Sequence, residues 1–115
     1  MRKGDDIRER VFRFACDVVN TCDEIATRGF SGRRLASQLV DSGTSIGANL
    51  EEADAAQSRA DFISKCTISL KEARESHYWL RIMRATKKLD DDQLLAECNE
   101  IIAILTTIVR KSRRE

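Results

Sequence analysis

Residues 35–62 read L-A-S-Q-L-V-D-S-G-T-S-I-G-A-N-L-E-E-A-D-A-A-Q-S-R-A-D-F, and this stretch decides the fold. Leu35, Leu39, Ser42/Gly43, Ile46, Leu50 and Ala53 fall on one helical stripe. The steps alternate between three and four residues, the period of a bundle or coiled-coil seam. The middle of the stripe is small and polar: Ser42, Gly43, Ser45, Gly47, Ala48, Asn49. Each glycine inside a helix costs about 1 kcal/mol relative to alanine. Such a cost is offset where a neighbouring helix backbone comes close, so this segment is expected to be a tightly packed bundle helix.

Outward from that stretch, the same spacing recurs three times. Ile7, Val11, Phe14, Val18, Cys22 and Ile25 form the seam of a first helix, with Phe12, Ala15, Val19 and Ala26 widening its apolar arc. Asp5 or Asp6 suits its N-terminus, and Arg28-Gly29 stops it. Ser31 is placed to cap the second helix. Ser58-Arg59-Ala60-Asp61 reads as a capping box for the third, whose seam is Phe62/Ile63, Cys66, Leu70, Ala73, His77 and Leu80. Leu89-Asp90-Asp91-Asp92-Gln93 is the last turn, with Asp90 and Gln93 spaced for a cap. The fourth seam is Leu94, Cys98, Ile101, Leu105 and Ile108. These patterns predict helices over roughly 5–28, 31–57, 59–88 and 91–111. Four helices with short connections imply one all-α domain, an antiparallel up-and-down four-helix bundle.

The totals agree with that class. The chain has 115 residues, 42% hydrophobic and 34% charged, with no proline and five glycines. Its net charge of +1 is too balanced to imply nucleic-acid binding on its own. No apolar run is long enough to span a membrane and no signal-peptide pattern opens the chain, so a cytoplasmic protein with no membrane partner is expected. Cys16, Cys22, Cys66 and Cys98 are far apart within apolar-periodic segments and read as buried reduced thiols. A zinc site would want closer ligand spacing and more than one histidine.

Catalytic constellations are absent from the sequence. His77, the single histidine, falls on the third seam and reads as a packed, hydrogen-bonded residue. Glu51, Glu52, Asp54, Glu72 and Glu75 lack the Glu-x-x-His partners of di-iron bundles. Gly43-Thr44-Ser45-Ile46-Gly47 has no lysine and lies inside a helix, unlike a phosphate loop. The expectation is a protein that is not an enzyme, with no cofactor and no metal. Asn49 and Glu52 are candidates to face inward and bond to Ser45, Ser76 or a backbone group, fixing register.

Two surface features remain. Ile68, Tyr78, Trp79, Ile82 and Met83 lie away from the third seam, forming either the cover of a thick core or a subunit interface. The start of the first helix and the end of the fourth meet at one end in an up-and-down bundle. They bring together nine of the twenty basic residues: Arg2, Lys3, Arg8, Arg10, Arg13, Arg110, Lys111, Arg113 and Arg114. Repeated around a ring of parallel subunits, this pole would form a basic collar for phosphate backbones. The other reading is a solvated tail with cations favourably placed at a helix C-terminus.

The motif S-x-x-S-I-x-x-N-L-x-E (Ser42, Ser45, Ile46, Asn49, Leu50, Glu52), followed by Ser58 and Asp61-Phe62, resembles the four helix bundle protein family, also called the 23S rRNA intervening-sequence protein family. The lead-in L-A-S-Q-L (Leu35–Leu39) and K-E-A-R-E-S-H-Y-W-L (Lys71–Leu80) extend the resemblance over about residues 8–110. The resemblance implies a bacterial bundle that assembles as a homopentameric ring, with a role not established for the family. It also implies similarity to the pentameric accessory protein of diversity-generating retroelements, which partners a reverse transcriptase and binds nucleic acid. Ala53 and Ala56-Gln57 stand where family members commonly carry glycine and arginine. Two function classes follow: an interaction scaffold, and a nucleic-acid-binding accessory protein using the basic pole.

Overall fold

Alternation of three- and four-residue apolar steps produces four helices: α1 (Lys3–Ile25), α2 (Phe30–Asp54), α3 (Arg59–Ala85) and α4 (Gln93–Arg114). The computed structural model describes residues 3–114, with side chains placed from residue 7 onward. No strand occurs among the described residues. The helices stack into a rod of 47 × 22 × 21 Å. Among the described residues α1 packs on α2, α2 on α3 and α3 on α4, and α1 makes a thinner contact with α4.

The seam of α1 is buried throughout, from Ile7 to Ile25. On α2 the buried residues are Gly32, Ala36, Leu39, Ser42, Gly43, Ile46, Leu50 and Ala53, while Leu35 is half-buried. The glycines admit side chains of α1 rather than its backbone: a Cβ at Gly43 would lie 3.0 Å from Val18 Cγ1, and one at Gly47 would lie 3.2 Å from Val11 Cγ1. On α3 the expected Cys66, Ala73 and Leu80 lie on the seam, but Ser69 and Ser76 take the alternate places expected of Leu70 and His77. Cys66, Ser69, Ala73, Ser76, Leu80 and Met83 are buried, whereas Phe62, Leu70 and His77 are half-buried. This exchange brings two serines against the small stripe of α2, where bulkier side chains would hold the helices apart. On α4, Cys98, Ile101, Leu105 and Val109 are buried, and Ile108 is half-buried.

Two residues expected in the core are outside it. Phe12 is 65% exposed, and Cys16 is exposed, because both lie beyond the α1 arc that α2 and α4 cover. Cys22, Cys66 and Cys98 are buried free thiols. Burial pushes Cys22 up to about 11 and Cys98 up to about 12, so both are inert, protonated space-fillers.

The helix ends have local causes. Asp5 and Asp6 side chains lie outside the described residues. α1 closes at Ile25, three residues before the expected 28, as Thr27 and Arg28 tighten into bonds to the carbonyls of Glu24 and Ile25. Gly29, at φ 97°, then turns the chain. α2 starts at Phe30 with Gly29 as its N-cap and no side-chain cap, so Ser31 does not serve there. A Cβ at Gly32 would collide with the Ile25 carbonyl oxygen, which fixes this tight entry. α2 ends at Asp54 rather than 57. Ser58 caps α3 as expected, its hydroxyl accepting from the Asp61 N–H at 3.1 Å.

α3 ends at Ala85 in a Schellman turn. Lys88 N–H donates to Met83 O at 2.8 Å, Lys87 N–H to Arg84 O at 3.2 Å, and Lys87 sits at φ 65°. In the following turn Asp91 Oδ1 accepts from Gln93 N–H at 3.0 Å in an Asx turn, and Asp92 O accepts the first bond of α4, from Ala96 N–H at 2.8 Å, so the Asp90 position is not the one used. Arg84 pins the turn by donating to Asp92 Oδ1 at 2.8 Å and to Leu89 O at 3.3 Å.

Candidate interaction surfaces

The motif residues of α2 divide into those that cross to α3 and those that do not. Ser76 Oγ donates to Ser42 Oγ at 2.8 Å, with Glu72 O at 2.9 Å as its alternative acceptor. One turn further along α2 and two turns back along α3, Ser69 Oγ donates to Ile46 O at 2.8 Å. All three serines are buried, so each hydroxyl replaces a water contact with a protein one. Ser69 escapes sequence reasoning because serine reads as polar, and Ser76 enters it only as a partner for Asn49 or Glu52 rather than for Ser42; their seven-residue spacing on the face opposite Ser42 is the signal that finds them. Ser45 and Asn49 bond back along α2 itself: Ser45 Oγ to Asp41 O at 2.6 Å, and Asn49 Nδ2 to Ser45 O at 2.8 Å. Asn49 is half-buried and Glu52 is exposed, so neither is the inward register device expected of it. Glu52 instead pairs with Lys65 Nζ at 2.9 Å across the α2–α3 surface. Ile46 is fully buried and Phe62 half-buried.

The outer face of α3 carries the surplus apolar surface. Tyr78 is 53% and Ile68 36% exposed, and Trp79 and Ile82 are half-buried. Tyr78 meets Trp79 edge-on, with ring centroids 5.4 Å apart. The buried indole Nε1 of Trp79 has no hydrogen-bond partner among the described residues. Met83 does not belong to this patch: four steps of alternating spacing from Ser69 place it on the seam, where it is fully buried. Glu72 and Glu75 flank the patch, and burial, reinforced by Glu75, raises the Glu72 carboxyl.

The basic end is thinner than the sequence suggests. Arg2 and the Lys3 side chain lie outside the described residues. Arg10 is spent in a bidentate pair with Glu97, at 2.7 and 2.8 Å, which ties α1 to α4 rather than facing a ligand. That hydrogen-bonded pairing raises the Arg10 guanidinium and holds the Glu97 carboxyl below its ordinary value. Arg8 lies between Glu51 at 3.4 Å and Asp54 at 3.2 Å. Arg110, Lys111, Arg113 and Arg114 are exposed on the last turns of α4. Arg59, unremarked in the sequence, joins them by donating to Ser112 O at 2.6 Å.

Other chemistry has little purchase. His77 is half-buried beside the seam, and burial, then Arg81, lowers its imidazole. No metal-holding group of three or more His, Cys, Asp or Glu occurs among the described residues. An open trough of about 560 Å³ between the α1 and α4 ends is lined by Asp17, Glu24, Arg28, Lys88, Asp90 and Asp91, among others. Arg28 bridges it by donating to Lys88 O at 3.2 Å. Among the described residues no helix is long and apolar enough to cross a membrane.

The 23S rRNA-intervening sequence protein family matches the chain over residues 5–107. A crystal structure of a protein of unknown function from the S23 ribosomal protein family of Bacteroides thetaiotaomicron is similar at TM-score 0.86 and 36% identity, covering 95% of this chain and 99% of that one. No curated protein matches.

Proposed function

The chain belongs to the 23S rRNA-intervening sequence protein family, and from that premise we propose that it is a non-enzymatic, homo-oligomeric scaffold whose surfaces hold other molecules rather than transform them. The observation that carries this reading is the α3 outer face, where Tyr78 and Ile68 stay exposed beside Trp79 after the core is filled. Exposed Tyr78 and Ile68 beside a half-buried Trp79 leave apolar surface that the core of one bundle does not cover and a subunit interface would. The order of cross-helix contacts supports an antiparallel up-and-down arrangement: Ser69 meets Ile46 and Ser76 meets Ser42, while Arg59 meets Ser112 and Arg84 meets Asp92. A ring, with five subunits favoured, follows from the family resemblance. Free buried thiols and a bacterial relative fit a bacterial cytoplasm. The test is Trp79→Glu combined with Ile82→Lys. Helicity by circular dichroism should persist while the solution mass falls to that of one chain; an unchanged mass excludes this face as the interface.

A second reading rests on exposed Arg110, Arg113 and Arg114 with Lys111 at the end of α4. Repeated around a ring, they would offer a collar for RNA or DNA phosphates. Binding of this kind weakens steeply with salt, and replacing these residues should flatten that dependence. Salt-independent or undetectable binding leaves the scaffold reading alone.

A further inference from the structure

A ring of more than two identical subunits requires two different faces on each copy, because its interface is heterologous. The α3 face is one. Among the described residues no Cα of α1 comes within 8 Å of one of α3, so the two helices occupy opposite corners of the bundle and their outer faces lie on different sides of it. The outer face of α1 is also apolar. Phe12, Cys16 and Val19 follow one another at four- and three-residue steps, with Phe12 65% and Val19 40% exposed.

The two faces lie at similar heights along the rod. The missing Cβ of Gly47 looks onto Val11, and neighbouring Ile46 accepts from Ser69, so Val11 and Ser69 are level. The missing Cβ of Gly43 looks onto Val18, and neighbouring Ser42 accepts from Ser76, so Val18 and Ser76 are level. By the same offset Phe12 stands level with Leu70 and Val19 with His77, so Phe12 lies within about 3 Å of the height of Ile68, and Val19 within about 3 Å of Tyr78 and Trp79. Opposite charges also border the two faces. Glu72 and Glu75 flank the α3 patch, and burial with Glu75 raises the Glu72 carboxyl although Lys71 acts the other way. Arg13, next to Phe12, makes an exposed 3.5 Å contact with Glu9 and, after Arg10, helps to lower the Glu97 carboxyl.

We infer that the Phe12–Val19 face of α1 in one copy docks on the Ile68–Tyr78–Trp79 face of α3 in the next. This inference rests on the homo-oligomer reading and adds to it the identity of the mating surface. Because the faces lie at similar heights, successive copies join side by side with little step along the rod, one of the conditions for closing a flat ring.

Mixing two variants tests it. The first, Phe12→Glu with Val19→Lys, spoils the α1 face; the second, Ile68→Lys with Tyr78→Glu, spoils the α3 face. All four positions are exposed, and circular dichroism checks that each variant is helical. Each alone should run as one chain. Mixed in equal amounts they should double in mass and grow no further, since one intact α1 face meets one intact α3 face. An α1-face variant that keeps the wild-type oligomer mass overturns the inference and leaves the homo-oligomer reading standing. So does a mixture that stays at the single-chain mass while wild type assembles. A wild-type chain that is itself monomeric overturns both.

Discussion

The hydroxyl of Ser76 lies 2.8 Å from that of Ser42, a side-chain hydrogen bond buried between α3 and α2. It joins two residues that hydropathy would assign to the surface, and it sets where α3 meets the small stripe of α2. Removing one partner leaves the other with a poorer substitute, since Ser42 reaches Leu39 O only at 3.5 Å. Ser76→Ala should cost about 1 kcal/mol in denaturant unfolding. Ser76→Leu should cost more, about 1–3 kcal/mol, by forcing the helices apart. The double variant Ser42→Ala/Ser76→Ala should fall short of the sum of the singles. Strict additivity would mean that the bond contributes nothing.

The two inner glycines of α2 should respond differently to alanine. At Gly43 the new Cβ would meet Val18 Cγ1 at 3.0 Å, Cγ2 at 3.4 Å and Cβ at 3.5 Å. A β-branched side chain is stiff and cannot yield there. Gly43→Ala should therefore destabilise, with overpacking outweighing the gain of about 1 kcal/mol in helix propensity. At Gly47 a single atom, Val11 Cγ1 at 3.2 Å, is crowded, so Gly47→Ala should cost less than Gly43→Ala. Thermal melts of the two variants give the comparison, and the reverse order would refute it.

Much of this packing is legible in the sequence, for physical reasons. The α1 seam is a run of large apolar residues at alternating spacing, and every one of them is buried. The α3 seam is misread at alternate places because its buried face is built partly of Ser69 and Ser76, while Leu70 and His77 offer a more apolar-looking alternative. Phe12 and Cys16 look like core because hydropathy reports that a residue is apolar, not whether a neighbour covers its arc. The basic end was overestimated at Arg10, whose partner Glu97 is 87 residues away and invisible to local pattern. Cap positions shift by one to three residues because the turn around Gly29 and the chain of aspartates after Leu89 offer several equivalent acceptors.

The Arg10–Glu97 pair makes a pH-dependent contribution with a definite sign. Arg10 holds the folded-state Glu97 carboxyl below its ordinary value of 4.5. The stabilisation is therefore present above that ordinary value and is lost as pH falls through the folded-state value. Glu97→Gln should lower stability at neutral pH by about 1 kcal/mol or less, the pair being one-third exposed. Wild type and variant should converge as acid protonates the carboxylate. A gap that widens in acid would contradict the pairing.

Lys87 occupies the left-handed seat of the Schellman turn at φ 65°. A non-glycine residue there costs about 1–2 kcal/mol. Lys87→Gly should relieve much of that cost and raise the melting temperature, provided the Lys88 N–H to Met83 O bond at 2.8 Å is kept. A lowered melting temperature would show that the lysine side chain contributes something to the turn that outweighs its strained backbone.

Assembly through the outer face of α3 is the central claim, and the solution mass of the unmodified chain by light scattering, at low and high salt, tests it most directly. The account predicts a stable multiple of the 13.0 kDa chain, with five copies favoured, persisting at high salt because the interface is chiefly apolar. A chain that runs at 13.0 kDa under both conditions would contradict it, leaving exposed Tyr78 and Ile68 with no mate among copies of this protein.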